Sequence, residues 1–142
     1  VSYLVLVFSA DPLRGRIIQK VLMRSRVEPL LLQTIKQVRE AVSQRTPDIA
    51  IFDTAGCFRE EINYLANLCG TLTQTAVILL GDGLVLEKVE GSATRRDLRL
   101  SDPLDPDLIV QKVEELLSLK VEEKRSGDDS LEDTLKGFLR LR

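Results

Sequence analysis

Five short apolar runs recur along the chain, and the stretches between them carry helical periodicity instead. The runs are Tyr3–Phe8, Glu28–Gln33 centred on Leu30-Leu31-Leu32, Asp48–Phe52, Thr75–Leu80 and Leu98–Ser101. Nearly unbroken apolarity over so few residues suits a strand covered on both faces, since neither side meets water. Strands of this kind alternating with helices leave few architectures. The expected fold is α/β: a flavodoxin-like five-stranded parallel sheet in the order 2-1-3-4-5, with helices on both faces and right-handed crossovers.

The helical stretches have readable ends. Asp11-Pro12 is an N-cap followed by proline in the first helical position. Leu13, Ile17 and Val21, with Ile18 and Leu22, then mark an inward face. Thr34 caps a second helix with apolar Ile35, Val38, Ala41 and Val42, which Thr46-Pro47 closes. A third helix is expected up to Cys69, with Phe58, Ile62, Leu65 and Leu68 or Cys69 inward and Gly70 as its stop. Leu84–Val89 is a weaker helix that Gly91–Thr94 interrupts. Asp105-Pro106 repeats the cap-and-proline signal before Leu108, Ile109, Val113, Leu116 and Leu117.

These elements place one domain over residues 1–119. Residues 120–129 are charged and poor in apolar side chains, which reads as a linker. Residues 130–142 carry Ser130-x-x-Asp133 and a stripe of Leu131, Leu135, Phe138 and Leu139. That pattern is an amphipathic tail helix or the start of a further segment. A first residue other than methionine is expected of a fragment or a processed chain.

Composition removes several function classes. The chain has no histidine, two cysteines and a net charge of −2. Without histidine there is no Ser–His or Cys–His nucleophilic pair, and Cys57 and Cys69 alone cannot complete a zinc site. They are expected as free thiols of a reducing, cytoplasmic compartment. The charge gives no electrostatic footprint for nucleic acid, and no apolar run reaches the roughly 20 residues of a membrane span.

In the predicted topology, chemistry belongs at the carboxyl ends of the strands. Those ends are Ser9-Ala10-Asp11, Asp53, Gly81-Asp82 and Ser101-Asp102-Pro103. Here the chain resembles the receiver domains of two-component response regulators, the CheY-like family. The resemblance rests on Val7–Leu13, on Pro47–Asp53 and on Ser101–Pro106, and it covers residues 1–119.

The resemblance implies a phosphoacceptor at Asp53 that attacks phosphorus with help from Mg²⁺. It also implies an acidic pair at Ser9 and Ala10, a switch hydroxyl at Gly81 and a lysine at Asp102. This sequence has none of the last three, and at Asp102 the charge is reversed. The expectation is a degenerate receiver, a pseudo-receiver without catalytic residues, with no cofactor in place of the family's Mg²⁺.

Alternatives stay open at this level. Asp53 is also a common strand-end turn former, and Asp11 is either a displaced metal ligand beside Asp53 or a helix cap. Asp11, Asp82 and Asp102 join Asp53 as an acidic pocket or stand apart as caps and turns. Arg14, Arg16, Lys20, Arg24 and Arg26 make the first helix a docking face or a solvated one. Three functions follow: a non-catalytic, protein-contact module of a response or transcriptional regulator; a working phosphoacceptor served by a histidine kinase or phosphotransfer protein; or a small flavodoxin-like binding protein or enzyme. A protein partner or output domain is expected, together with a homodimer that uses Glu87, Lys88, Arg95, Arg96, Asp97 and Arg99 and, on the fifth helix, Lys112, Glu114 and Glu115.

Overall fold

The computed structural model describes residues 3–87 and 98–121. Its elements are β1 (Tyr3–Ser9), α1 (Pro12–Leu22), β2 (Val27–Leu32), α2 (Ile35–Gln44), β3 (Ile49–Asp53), α3 (Arg59–Thr71), β4 (Ala76–Gly81), α4 (Gly83–Glu87) and β5 (Leu98–Ser101). A fifth helix, α5, is described over residues 106–121. The chain divides into two compact units, 1–110 and 111–142. All five strands belong to the first. In the described part of the second, α5 continues and Lys112 pairs with Glu115 at 3.3 Å.

The strands form one parallel sheet in the order β2-β1-β3-β4-β5, as the apolar runs require. Residues of β3 and β4 are buried throughout. Alternation along each strand sends side chains to opposite faces. Leu6, Phe8, Ala50, Phe52, Val77 and Leu79 pack with Val38, Leu65, Cys69 and Leu86 from α2, α3 and α4. The intervening set, which includes Val7, Ser9, Ile51 and Asp53, faces the other way, where α1 packs on β1 and β2.

Local chemistry starts each helix. The Asp11 side chain accepts from the backbone N–H groups of Leu13 and Arg14, and Pro12 opens α1. Thr34 and Gln37 form a reciprocal capping box on α2. The Glu61 carboxylate accepts the Phe58 N–H at 2.8 Å. Asp82 Oδ1 accepts from Leu84 N, and Asp105 Oδ1 from Leu108 N. Each bond satisfies a donor that the helix itself leaves open.

Three local expectations are corrected. The inward face of α1 is Gly15, Ile18 and Leu22, while Leu13 is 69% exposed. Phe58, expected inside, is the N-cap of α3 and 76% exposed, because the helix begins one residue after it. Gly70 does not stop α3, which continues to Thr71: a glycine can stay in helical conformation when the following residues still supply i→i−4 bonds. The helix α5 runs through residue 121, past the expected start of the linker. The rest of the linker, the tail over 130–142 and residues 88–97 lie outside the described residues. So do Lys88, Arg95, Arg96 and Asp97 of the expected dimer face. Among the described residues, no helix is long and apolar enough to cross a membrane.

Candidate functional site

Strand register gathers the site. Ser9 of β1 stands beside Asp53 of β3, Asp53 beside Leu80 of β4, and Gly81 beside Ser101 of β5. The carboxyl ends of four strands therefore share one edge, and Asp53 sits at its centre with no exposed surface.

A buried carboxylate must be paired, and its partner is one the sequence reading did not single out. Arg14 of α1 donates from Nε to Asp53 Oδ2 at 2.8 Å and from Nη2 to Asp53 Oδ1 at 3.0 Å. The same Nη2 also donates to Asp102 Oδ1 at 2.8 Å. Arg14 is 19% exposed and Asp102 37%. Its hydrogen bonds to Asp53 hold the Arg14 guanidinium protonated even more firmly than usual, against the opposing effect of burial. One guanidinium thus serves two carboxylates, and it grips Asp53 through two nitrogens of a planar fork that a compact ammonium lacks.

Two further donors complete the Asp53 shell. Ser9 Oγ lies 2.8 Å from Asp53 Oδ2 and 3.0 Å from the Asp11 carbonyl. Its single proton can serve only one of them, and the charged acceptor forms the stronger bond. Ala55 N donates to Asp53 Oδ1 at 3.1 Å. Among the described residues, no buried side-chain polar atom lacks a hydrogen-bond partner.

The local sequence explains how α1 delivers Arg14. Residues 14, 18 and 22 form one i, i+4 row, so Arg14 belongs to the row of Ile18 and Leu22. Gly15 lets that row approach the sheet. A Cβ there would lie 2.9 Å from Leu31 Cδ1 and 3.2 Å from Ser9 Cβ. The row was the available signal, and five basic residues on or just beyond one short helix hid it.

The remaining strand-end residues have separate duties. Asp11 and Asp82 cap α1 and α4. Ala10 is half-buried and packs against the hydrophobic cluster. Among the described residues, no three His, Cys, Asp or Glu side chains are grouped to hold a metal ion. The residues therefore do not fit the family's Mg²⁺, since Ser9 and Ala10 offer no carboxylate and Arg14 covers both oxygens of Asp53.

Gly81 has φ of +143°. A Cβ added to it would collide with Thr54 Oγ1. Thr54 donates twice to the Leu80 carbonyl, from N at 2.8 Å and from Oγ1 at 2.7 Å. Asp102 N donates to Gly81 O at 2.7 Å. The space beside Gly81 is therefore filled by Thr54, the residue that follows β3. The Asp102–Pro103 peptide is cis.

Neither cysteine is in a disulfide. Burial, with the charges of Glu61 and Asp53, pushes the Cys57 thiol up to about 12. Such a thiol is a poor nucleophile at neutral pH.

No protein-family model matches the chain, and no curated protein matches it. Solved structures do. The Francisella response regulator 1452 receiver domain superposes with a TM-score of 0.70 at 20% identity, over 84% of this chain and 99% of that one. A response regulator from Thermotoga maritima gives 0.67 at 16% identity, over 83% and 99%. NtrX from Brucella abortus gives 0.69 at 14% identity, over 90% of this chain and 29% of that one. At such identities the likeness establishes the fold, a CheY-like receiver fold, and carries no activity with it.

Proposed function

We propose that this chain is a signalling module of the response-regulator type that works through protein contacts and not by phosphoryl transfer. The observation that carries the reading is Arg14. It occupies both oxygens of a fully buried Asp53 and ties them to Asp102. Phosphorylation needs one of those oxygens as the nucleophile and cations to neutralise the incoming phosphoryl oxygens. Here the oxygens are engaged, and the nearest cation is already shared between two carboxylates.

The reversed charge at Asp102 and the cation at Arg14 form one arrangement. Positive charge is supplied from α1 instead of from the loop after β5. A module of this kind passes its signal to a protein partner or an output domain in the cytoplasm, and it pairs as a homodimer without phosphorylation. The fold is only 29% of the Brucella NtrX chain, so it does occur as one part of a longer protein.

The test is incubation with acetyl phosphate, or with beryllofluoride, in the presence of Mg²⁺. The expected result is an unchanged intact mass and unchanged amide chemical shifts. Stoichiometric acyl phosphate, absent from Asp53→Asn, would establish the working phosphoacceptor instead.

A further inference from the structure

Phe58 and Leu84 stand at the starts of neighbouring helices, and both are open to solvent. Phe58, the N-cap of α3, is 76% exposed, and Leu84, the second residue of α4, is 70% exposed. The two helices follow adjacent strands, β3 and β4, whose ends pair at Asp53 and Leu80. Leu65 and Cys69 of α3 and Leu86 of α4 pack in one cluster, so both helices cover the same face of the sheet. Helices packed side by side have axes about 10 Å apart, which makes the two starts neighbours. One exposed apolar side chain is ordinary, but two this large side by side form a patch that marks an interaction surface.

The same two turns carry net negative charge. They hold Glu60, Glu61 and Asp82 against one cation, Arg59. Among the described residues, none of these three carboxylates forms an ion pair. Glu61 and Asp82 cap their helices, accepting from Phe58 N and Leu84 N at 2.8 Å each, while Glu60 is exposed. The sequence contains a segment of the opposite character. Residues 134–142 include Lys136, Arg140 and Arg142, four large apolar side chains, Phe138 and Leu139 among them, and no aspartate or glutamate. In a chain with net charge −2, that segment is a local reversal of sign.

We infer that the patch at Phe58 and Leu84 docks residues 134–142 of a second copy of this chain. The segment supplies apolar side chains for the two exposed ones, and its cations meet the carboxylates around them. Each copy gives one segment and receives one, so the contact closes as a two-fold pair. An anionic lipid surface does not fit, because the patch carries the same sign of charge. The inference rests on the homodimer proposed above and names the surfaces that hold it, yet its test does not involve Asp53.

Sedimentation equilibrium of the full chain is the test. The expected result is a dimer whose dissociation constant rises about tenfold or more in Phe58→Ser/Leu84→Ser and, separately, in Lys136→Glu/Arg140→Glu. Excess synthetic peptide of residues 134–142 should return the chain to monomer, and the same peptide with glutamate at 136 and 140 should not. Circular dichroism confirms that the variants stay folded. Glu60→Lys, a single reversal of an exposed charge, should weaken the dimer in the same direction and serves if the apolar variant misfolds. A monomer at every concentration overturns the inference, and so does a dimer indifferent to both pairs of substitutions. Sensitivity to Phe58→Ser/Leu84→Ser alone overturns it in favour of another occupant of the patch. Acyl phosphate on Asp53 would instead overturn the earlier reading and leave this one standing.

Discussion

Arg14 grips Asp53 through both carboxylate oxygens, at 2.8 Å and 3.0 Å, although the two residues are 39 positions apart in the chain. The pair joins the first turn of α1 to the end of the central strand. Asp53 has no exposed surface, whereas Arg14 keeps 19% of its side chain in solvent. The two partners therefore bear unequal consequences when the other is removed.

Arg14→Ala should be the costlier substitution. It leaves a buried carboxylate with only Ser9 Oγ and Ala55 N as donors, and losses of this kind run to about 3–5 kcal/mol. Asp53→Ala leaves Arg14 with Asp102 and a route to water, for a loss of about 1–3 kcal/mol. Arg14→Leu/Asp53→Leu removes both charges and should cost less than Arg14→Ala alone. Urea unfolding of the three variants gives the order, and Asp53→Ala proving the worst would contradict it.

Removing the guanidinium also changes what the edge can attract. In Arg14→Ala, Asp53 and Asp102 keep two negative charges with no cation between them. Millimolar Mg²⁺ or Mn²⁺ should then raise the thermal midpoint of Arg14→Ala by several degrees while leaving the unsubstituted protein unmoved. The stabilisation follows from ligand binding to the folded state alone. Equal shifts in both proteins would mean that Arg14 is not the residue keeping the cation out.

The fold was legible because its signals are local. Apolar runs, caps at Asp11, Thr34 and Asp105, and prolines at 12 and 106 each act within a few residues. The strand-end set was legible too, because parallel topology brings those ends together. What escaped was the direction of one side chain. Arg14 is one of five basic residues on or just beyond α1, and its inward turn depends on a partner in β3 that no local pattern encodes. Phe58 escaped for a related reason: its exposure follows from a helix start that a capping glutamate three residues later sets. Thr54 carries no pattern of its own in the sequence, and only the register of β3 against β4 reveals what it fills.

That filling makes Gly81 hard to replace. At φ of +143° an L-residue is strained, at about 1–3 kcal/mol. The added Cβ would also meet Thr54 Oγ1. Gly81→Ala should therefore destabilise by about 2–5 kcal/mol, strain and overpacking together. Thr54→Ala/Gly81→Ala should cost less than the two single changes summed, because removing the hydroxyl clears the worst of the collision. A double-mutant cycle from denaturant midpoints measures that coupling. Strict additivity would show that the two side chains do not compete for the same space.

The Cys57 thiol gives a prediction about pH whose sign can be worked through. Burial, then Glu61, then Asp53, raise it from 9.0 to about 12 in the folded chain. The folded protein therefore holds the proton more tightly than the unfolded one. Its contribution to stability is complete below pH 9 and is lost as pH rises from there toward 12. Lysines and tyrosines titrate in the same range, so the informative quantity is the difference from Cys57→Ala. Above pH 9 the unsubstituted protein should lose stability more steeply than this variant, and below pH 8 the two should run parallel. The same shift governs reactivity. Only the thiolate attacks an alkylating agent, so at pH 8 iodoacetamide should label folded Cys57 at least tenfold more slowly than a denatured chain. Cys69 is buried, so peptide mapping separates the two sites. Rapid labelling of Cys57 at pH 8 in the folded protein would mean that its thiolate is stabilised and the sign of the shift is wrong.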